Sequence, residues 1–319
     1  MDNLLFEQLP YALAKTDFQG LGERYGGKVR DNYRHGDRYV LVTTDRISAF
    51  DHVLGTIPFK GEALNRLAVF WFDKTKDLAP NHLLDCPDPN VMVARRCEPL
   101  PVEFVVRGYL TGSLWRDYEA GKAAVYGIDF PLGLKKDQGL EKPILTPSTK
   151  EALGKHDEPI GPREIVARGL VDAKRLDEAS EMAVALFAAG QAWAESRGLI
   201  LVDTKYEFGV YQDKLVVIDE MHTMDSSRYW EAGEYAARFA RGDDQKMLDK
   251  ENVRQWLIRE RGFSGHGTPP PLPDEVRVEV ARIYLNAFQR ITGTPMPVRV
   301  GPVVPRIEAA LRAKGYLPA

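Results

Sequence analysis

The sequence predicts an α+β fold in two parts, and three observations predict it. Residues 1–98 read as strands and tight turns around one helix; Pro99-Leu-Pro101 interrupts that pattern; and beyond it a long helix and a charged hairpin precede mainly helical sequence. A β-rich N-terminal domain over 1–98 and an α+β domain over 99–319, ending in helices, are therefore expected.

After a short leader, Gly26-Gly27-Lys28-Val29-Arg30-Asp31-Asn32-Tyr33, a turn at His35-Gly36-Asp37 and Tyr39-Val-Leu-Val-Thr-Thr44 describe a hairpin with a glycine-rich entry. Leu64, Leu67, Ala68 and Trp71 recur at helical spacing within 61–78, ahead of Pro80. A strand resumes at 102–106, and 117–162, rich in Gly, Pro, Lys and Asp, reads as a long loop region over a site. Asp172 is placed to cap a helix running through Leu176, Ala183, Leu186, Phe187 and Trp193, with Gly198 past its end. Leu199-Ile-Leu-Val202 and Leu215-Val-Val-Ile218 flank Gln212-Asp213-Lys214 as one long hairpin. From Ser227 onward the pattern is helical, broken by Pro residues in 268–273.

The 319 residues, 44% hydrophobic and 28% charged with net charge -3, suit a globular chain and give no basic excess for nucleic acid or an anionic membrane. Cys86 and Cys97 offer neither a disulfide framework nor CxxC spacing. An acidic N-terminus and the absence of an apolar run near ~20 residues point to a cytoplasmic protein.

Alternation puts Asp203, Lys205 and Glu207 on one face of their strand. With a three-residue turn over 212–214, Glu207 stands opposite Asp219; a two-residue turn would place them on opposite faces. Opposed carboxylates call for a divalent cation such as Mg²⁺, with Lys205 beside it for a phosphoryl group; the bland alternative is a solvated salt-bridge ladder.

Lys28 and Arg30 share a strand face beside two glycines, an arrangement able to cover phosphates. Arg107, Thr111, Gly112 and Ser113 suit a phosphate monoester. Asp225-Ser-Ser227-Arg228 reads as a helix start, with Arg228 a surface residue or second anion anchor. The polar cluster Thr43 to Asp51 could hold an amino or hydroxyl group, and neither His156-Asp157-Glu158 nor His222 has zinc-ligand spacing.

In order, Gly27-Lys28-Val-Arg30-Asp31, Thr44-Asp45-Arg46-Ile-Ser48-Ala-Phe-Asp51, Val105-Val-Arg107-Gly-Tyr-Leu-Thr-Gly112-Ser113, Asp203-Thr-Lys205-Tyr-Glu207-Phe-Gly209 and Ile218-Asp219-Glu220 with Asp225-Ser-Ser-Arg228 closely resemble the SAICAR synthetase family. The resemblance implies a purine-biosynthesis ligase joining L-aspartate to the carboxylate of an aminoimidazole ribonucleotide, using ATP and Mg²⁺, with small-molecule substrates and no obligatory protein partner. It also implies a kinase-small-lobe-like N-terminal domain and an ATP-grasp-like cleft.

Carried over by motif, Lys28 and Arg30 contact ATP phosphates, the backbone from Arg95 to Cys97 meets adenine, and Glu207 and Asp219 hold the metal. Lys205 meets the reacting group, Asp203 orients the imidazole amine, and Arg107, Ser113, Asp225 and Arg228 bind the ribonucleotide. Asp45, Ser48 and Asp51 are candidates for the aspartate pocket, and Lys150 and Asp157 for closure over the substrates. A small-molecule kinase and a non-catalytic nucleotide sensor are the rival readings.

Overall fold

The computed structural model describes residues 2–50, 52–150, 157–248 and 251–318. It divides into two compact units, one of residues 1–72, 82–96 and 248–319, the other of 73–81 and 97–247.

The first unit begins with helix α1 (Asp2–Gln8) and strands β1 (Glu23–Gly26), β2 (Arg30–His35) and β3 (Arg38–Thr43). The β2–β3 turn needs only Gly36 and Asp37, with Gly36 at φ 62° supplying the left-handed backbone that such a turn demands. A small antiparallel pair, β4 (Arg46–Ala49) and β5 (His52–Thr56), precedes helix α2 (Lys60–Lys74). Strands β6 (Leu83–Asp88) and β7 (Val91–Arg95) complete a five-stranded antiparallel sheet in the order β1-β2-β3-β7-β6.

The second unit is built on two 13-residue strands. These are β8 (Glu98–Leu110) and, after α3 (Gly112–Glu119), β9 (Gln138–Leu145), β10 (Ser148–Thr149), α4 (Pro162–Ala167) and α5 (Ala173–Glu195), β11 (Leu199–Tyr211). β12 (Lys214–Ile218), β13 (Ser227–Glu231) and α6 (Ala232–Arg241) follow. β8 and β11 pair antiparallel at the centre; β10 and β9 flank β8, while β12 and β13 flank β11. Asp172 Oδ1 accepts the Arg175 amide at 2.9 Å, so α5 carries the expected N-cap. Gly190 of α5 comes so close to Leu201 and His222 that a Cβ there would collide with both. Beneath the helix, Phe104 and Phe208 meet edge to face at 5.1 Å.

Four expectations change. Pro99 and Pro101 lie inside β8 instead of interrupting it: Pro99 sits where the β8–β11 register shifts, and Pro101 contributes its carbonyl to the Lys150 amide at 3.1 Å. The loop expected over 117–162 contains β9 and β10, short flanking strands whose partial exposure hides any strict alternation. The segment from Ser227 is a strand and not a helix start. Thr223 and Ser226 tie a turn through reciprocal backbone and hydroxyl bonds, and Tyr229 and Trp230 then suit an extended chain.

The fourth concerns the C-terminus. Helices α7 (Glu251–Arg261), α8 (Asp274–Thr292) and α9 (Val303–Ala313) belong to the first unit and not to the expected 99–319 domain. Val303, Ile307 and Leu311 of α9 share a core with Tyr33, Val40, Val42, Val91 and Val93, and Arg306 pairs with Glu62 and Asp88. The apolar stripe of α9 needed a sheet face to cover, and the N-terminal sheet provides it. No helix among the described residues is long and apolar enough to cross a membrane.

Candidate active site

One face of β8, β11 and β13 gathers five of the charged residues that the sequence singled out: Arg107, Asp203, Lys205, Glu207 and Arg228. In the β8–β11 register Asp203 pairs with Arg107, Lys205 with Val105 and Glu207 with Glu103, while on the other side Asp203 pairs with Arg228 of β13. Asp203, Lys205 and Glu207 therefore do share a face.

At one end the buried Asp203 carboxylate lies between two guanidiniums, with Oδ2 3.4 Å from Arg107 Nη1 and 3.1 Å from Arg228 Nη1. Arg107 also donates Nε to Thr146 Oγ1 at 2.7 Å and Nη2 to Ser113 Oγ at 2.9 Å. Burial lowers the Arg107 pKa from its ordinary value, with Asp203 opposing the shift. Gly112, at φ 59°, packs against the Arg228 guanidinium so closely that any Cβ would overlap it. Two cations, a hydroxyl and the start of α3 make this end suited to an anion.

At the other end Lys205 Nζ donates to Glu103 Oε1 at 2.6 Å and to Glu207 Oε1 at 2.7 Å, and Lys150 pairs with the second Glu207 oxygen. Burial works against the Lys205 charge, yet Glu207, Glu103 and Asp219 hold its pKa well above the ordinary lysine value. Burial likewise raises Glu207, but Lys205 and Lys150 prevail and bring its carboxyl down to about 2. Glu103 is raised, chiefly by burial, with Lys205 opposing. Asp157, exposed, adds its negative charge near Glu103.

The expected Glu207–Asp219 opposition does not occur. Tyr211 pairs with Lys214, leaving a two-residue turn of Gln212 and Asp213 at φ 49° and 60°, so Glu207 faces Ile218. Asp219 follows the end of β12 with a left-handed φ of 66°, which breaks the strand alternation, and its charge acts on Lys205. The carboxylate directly opposite Glu207 is Glu103. Its position two residues from Val105 and four from Arg107 was readable by alternation once β8 was known to start before Val102.

In the first unit Lys28 is exposed in the β1–β2 connection, not on a strand face with Arg30, because β1 ends at Gly26 and β2 starts at Arg30. Asp45 turns inward: its carboxylate accepts the Leu13 amide at 2.7 Å and the Gly61 amide at 2.8 Å, securing the first turn of α2. Burial pushes that carboxyl up to about 6, against the two amides and Lys60. A carboxylate so engaged is not available to an aspartate pocket. Ser48 is half-buried on β4, and Asp51 lies outside the described residues. Arg95 ends β7 and donates to the Leu83 carbonyl at 3.3 Å, Cys97 packs beside Gly209, and Asp225 is half-buried in the turn before β13. His222 is buried against the Tyr206 hydroxyl at 2.5 Å, and burial lowers its pKa to about 3, so it is a neutral core group.

The family model for SAICAR synthetase matches residues 23–267. The phosphoribosylaminoimidazole-succinocarboxamide synthase of Legionella pneumophila is 46% identical over 290 residues, covering 89% of this chain and 92% of its own. That of Bacteroides fragilis is 47% identical over 288 residues, covering 88% and 91%. Among solved structures, the Saccharomyces cerevisiae SAICAR synthase complexed with SAICAR superposes with a TM-score of 0.79 at 30% identity, covering 90% of this chain and all of that one. The small-molecule kinase reading finds no support in these likenesses, and the chain belongs to the SAICAR synthetase family.

Proposed function

We propose that the charged face of β8, β11 and β13 seats the aminoimidazole ribonucleotide of the family's ATP-dependent aspartate ligation. The single observation that carries this reading is the polarity of that face: Arg107, Arg228 and Ser113 gather at Asp203, while Lys205 follows two residues along β11 and reaches Glu207, four residues along, and Glu103 opposite it. Those ends are roughly 13 Å apart along a strand rising ~3.3 Å per residue, room for a ribonucleotide with its phosphate at one end and its carboxylate at the other.

In this reading Arg107, Ser113 and Arg228 bind the phosphate, with Asp225 at the edge of the same site. Asp203 holds the two guanidiniums in place and meets the imidazole amine. Lys28 and Arg30 contact ATP phosphates, and the Arg95 to Cys97 backbone meets adenine. Ser48 serves the incoming aspartate, and Lys150 and Asp157 close over the substrates.

Glu207 and Asp219 would hold Mg²⁺, whose hard oxygen ligands they supply; the ion would neutralise charge on the ATP phosphates. Among the described residues no group of three or more His, Cys, Asp or Glu is placed to hold a metal ion. The ligation itself proceeds by transfer of the γ-phosphoryl to the imidazole carboxylate, which releases ADP, and attack by the aspartate amine on the acyl phosphate, which forms the amide and expels inorganic phosphate as the amine gives up its protons. Lys205, kept fully charged by its carboxylate neighbours, stabilises the negative charge that gathers on the reacting carboxylate and phosphoryl oxygens.

The test is an ADP-release assay with the imidazole ribonucleotide, with and without L-aspartate. Full turnover only with both substrates is expected. ADP release that is indifferent to aspartate overturns the ligase reading, and calorimetric binding of ATP without ADP formation would favour the sensor.

A further inference from the structure

Residues 27–29 connect β1 to β2, and the carbonyls of 27–30 are all tied to one short segment. Arg46 donates Nε to Lys28 O at 2.9 Å and Nη2 to Gly27 O at 2.9 Å and Arg30 O at 3.1 Å. Its Nη1 reaches Ala14 O at 2.6 Å. Val29 O accepts from the Thr44 amide at 3.0 Å and from Thr44 Oγ1 at 2.7 Å. The guanidinium is itself pinned by Asp31, whose Oδ1 lies 3.1 Å from Nη2 and whose Oδ2 accepts the Thr16 amide at 2.6 Å.

Arginine has five N–H donors in a rigid fork, and here the donors point at main chain and at one fully buried carboxylate. Little donor capacity is left for a substrate. The consequence falls on the turn. In a trans peptide the N–H points opposite to the C=O, and no cis peptide bond occurs among the described residues. With the Gly27 and Lys28 carbonyls drawn toward Arg46, the amides of Lys28 and Val29 face the other way. Successive amides aimed together form a cradle for an anion, and Lys28 and Arg30 add two cations to it.

We infer that Arg46 is the positioning residue of this turn: it orients the Lys28 and Val29 amides as main-chain donors to the nucleotide phosphates without touching the nucleotide itself. The inference rests on the reading that the turn carrying Lys28 and Arg30 meets ATP. Lysine at position 46 would keep the charge but could not span three carbonyls at once.

The experiment compares Arg46→Lys, Thr44→Val and Lys28→Ala by steady-state kinetics and by residue-resolved amide hydrogen exchange with and without ATP. Arg46→Lys should raise KM for ATP about tenfold or more, leave KM for aspartate and for the imidazole ribonucleotide within about twofold, and abolish the ATP-induced slowing of exchange at Lys28 and Val29. Thr44→Val, which removes one of the two bonds to Val29 O, should show the same selectivity at about threefold. A uniform change in all three KM values, or no slowing at the two amides when ATP binds the unaltered enzyme, overturns the inference. An unchanged KM for ATP in Lys28→Ala overturns the ATP reading of the turn, and the inference with it. A raised KM in Lys28→Ala beside an unchanged one in Arg46→Lys overturns the inference alone.

Discussion

Glu103 stands directly opposite Glu207 across the β8–β11 pair, and the Lys205 ammonium bonds both carboxylates. Two half-buried or buried acids at that spacing repel unless a cation stays between them, so Lys205 has a structural task as well as the chemical one assigned to it.

Replacing Lys205 by Met should therefore lower kcat/KM by more than about tenfold and also destabilise the fold above the carboxylate range. Adding Glu103→Gln to Lys205→Met should restore much of the stability but not the activity. Urea unfolding at pH 7 and pH 5 reads both effects; the deficit of the single variant should shrink at the lower pH, where Glu103, already raised by burial, can protonate. A decrease in kcat/KM smaller than about tenfold would remove Lys205 from the chemistry.

Gly112→Ala places a methyl group on the Arg228 guanidinium and strains a left-handed φ. Arg228 must move away from Asp203. KM for the imidazole ribonucleotide should rise about tenfold or more while KM for ATP stays within about twofold, with a stability loss on the order of 1 kcal/mol. Equal increases in both KM values would place Arg228 outside the ribonucleotide site.

Asp45 gives a pH signature of defined sign. Its folded pKa, about 6, lies above the ordinary 3.8, so the folded chain binds the extra proton between those values. Its contribution is fully present below about pH 4 and lost as pH rises through about 6, on the order of 3 kcal/mol in all. Asp45→Asn removes this titration but also spoils one acceptor of the Leu13 and Gly61 amides. The stability cost of Asp45→Asn should therefore shrink from pH 4.5 to pH 7 in chemical denaturation. A cost independent of pH would show that the carboxyl titrates normally.

The Gln212–Asp213 turn tests the register. Both residues hold positive φ, which Asn-Gly adopts with less strain. Gln212→Asn with Asp213→Gly should raise the stability by about 0.5–1 kcal/mol and leave kcat/KM unaltered, as measured by thermal unfolding and steady-state assay. Destabilisation would indicate a different turn.

The sequence by itself determined the parts that depend on local rules. Alternation placed Asp203, Lys205 and Glu207 on one face, the Asp172 cap and Gly198 bracketed α5, and ordered motifs carried the family likeness. Tertiary structure decided which neighbours those residues meet. Strand pairing brought Glu103 opposite Glu207 and set Arg107 and Arg228 on either side of Asp203, partners separated by about a hundred residues or by a whole hairpin. A two-residue turn at Gln212 and Asp213, in place of the expected three, undid the register arithmetic, burial turned Asp45 away from any substrate, and α9 joined the N-terminal sheet because both had apolar faces to cover. Alternation and capping act within a few residues and can be read along the chain; pairing register, burial and helix docking are chosen by the whole fold, where the competing partners are weighed together.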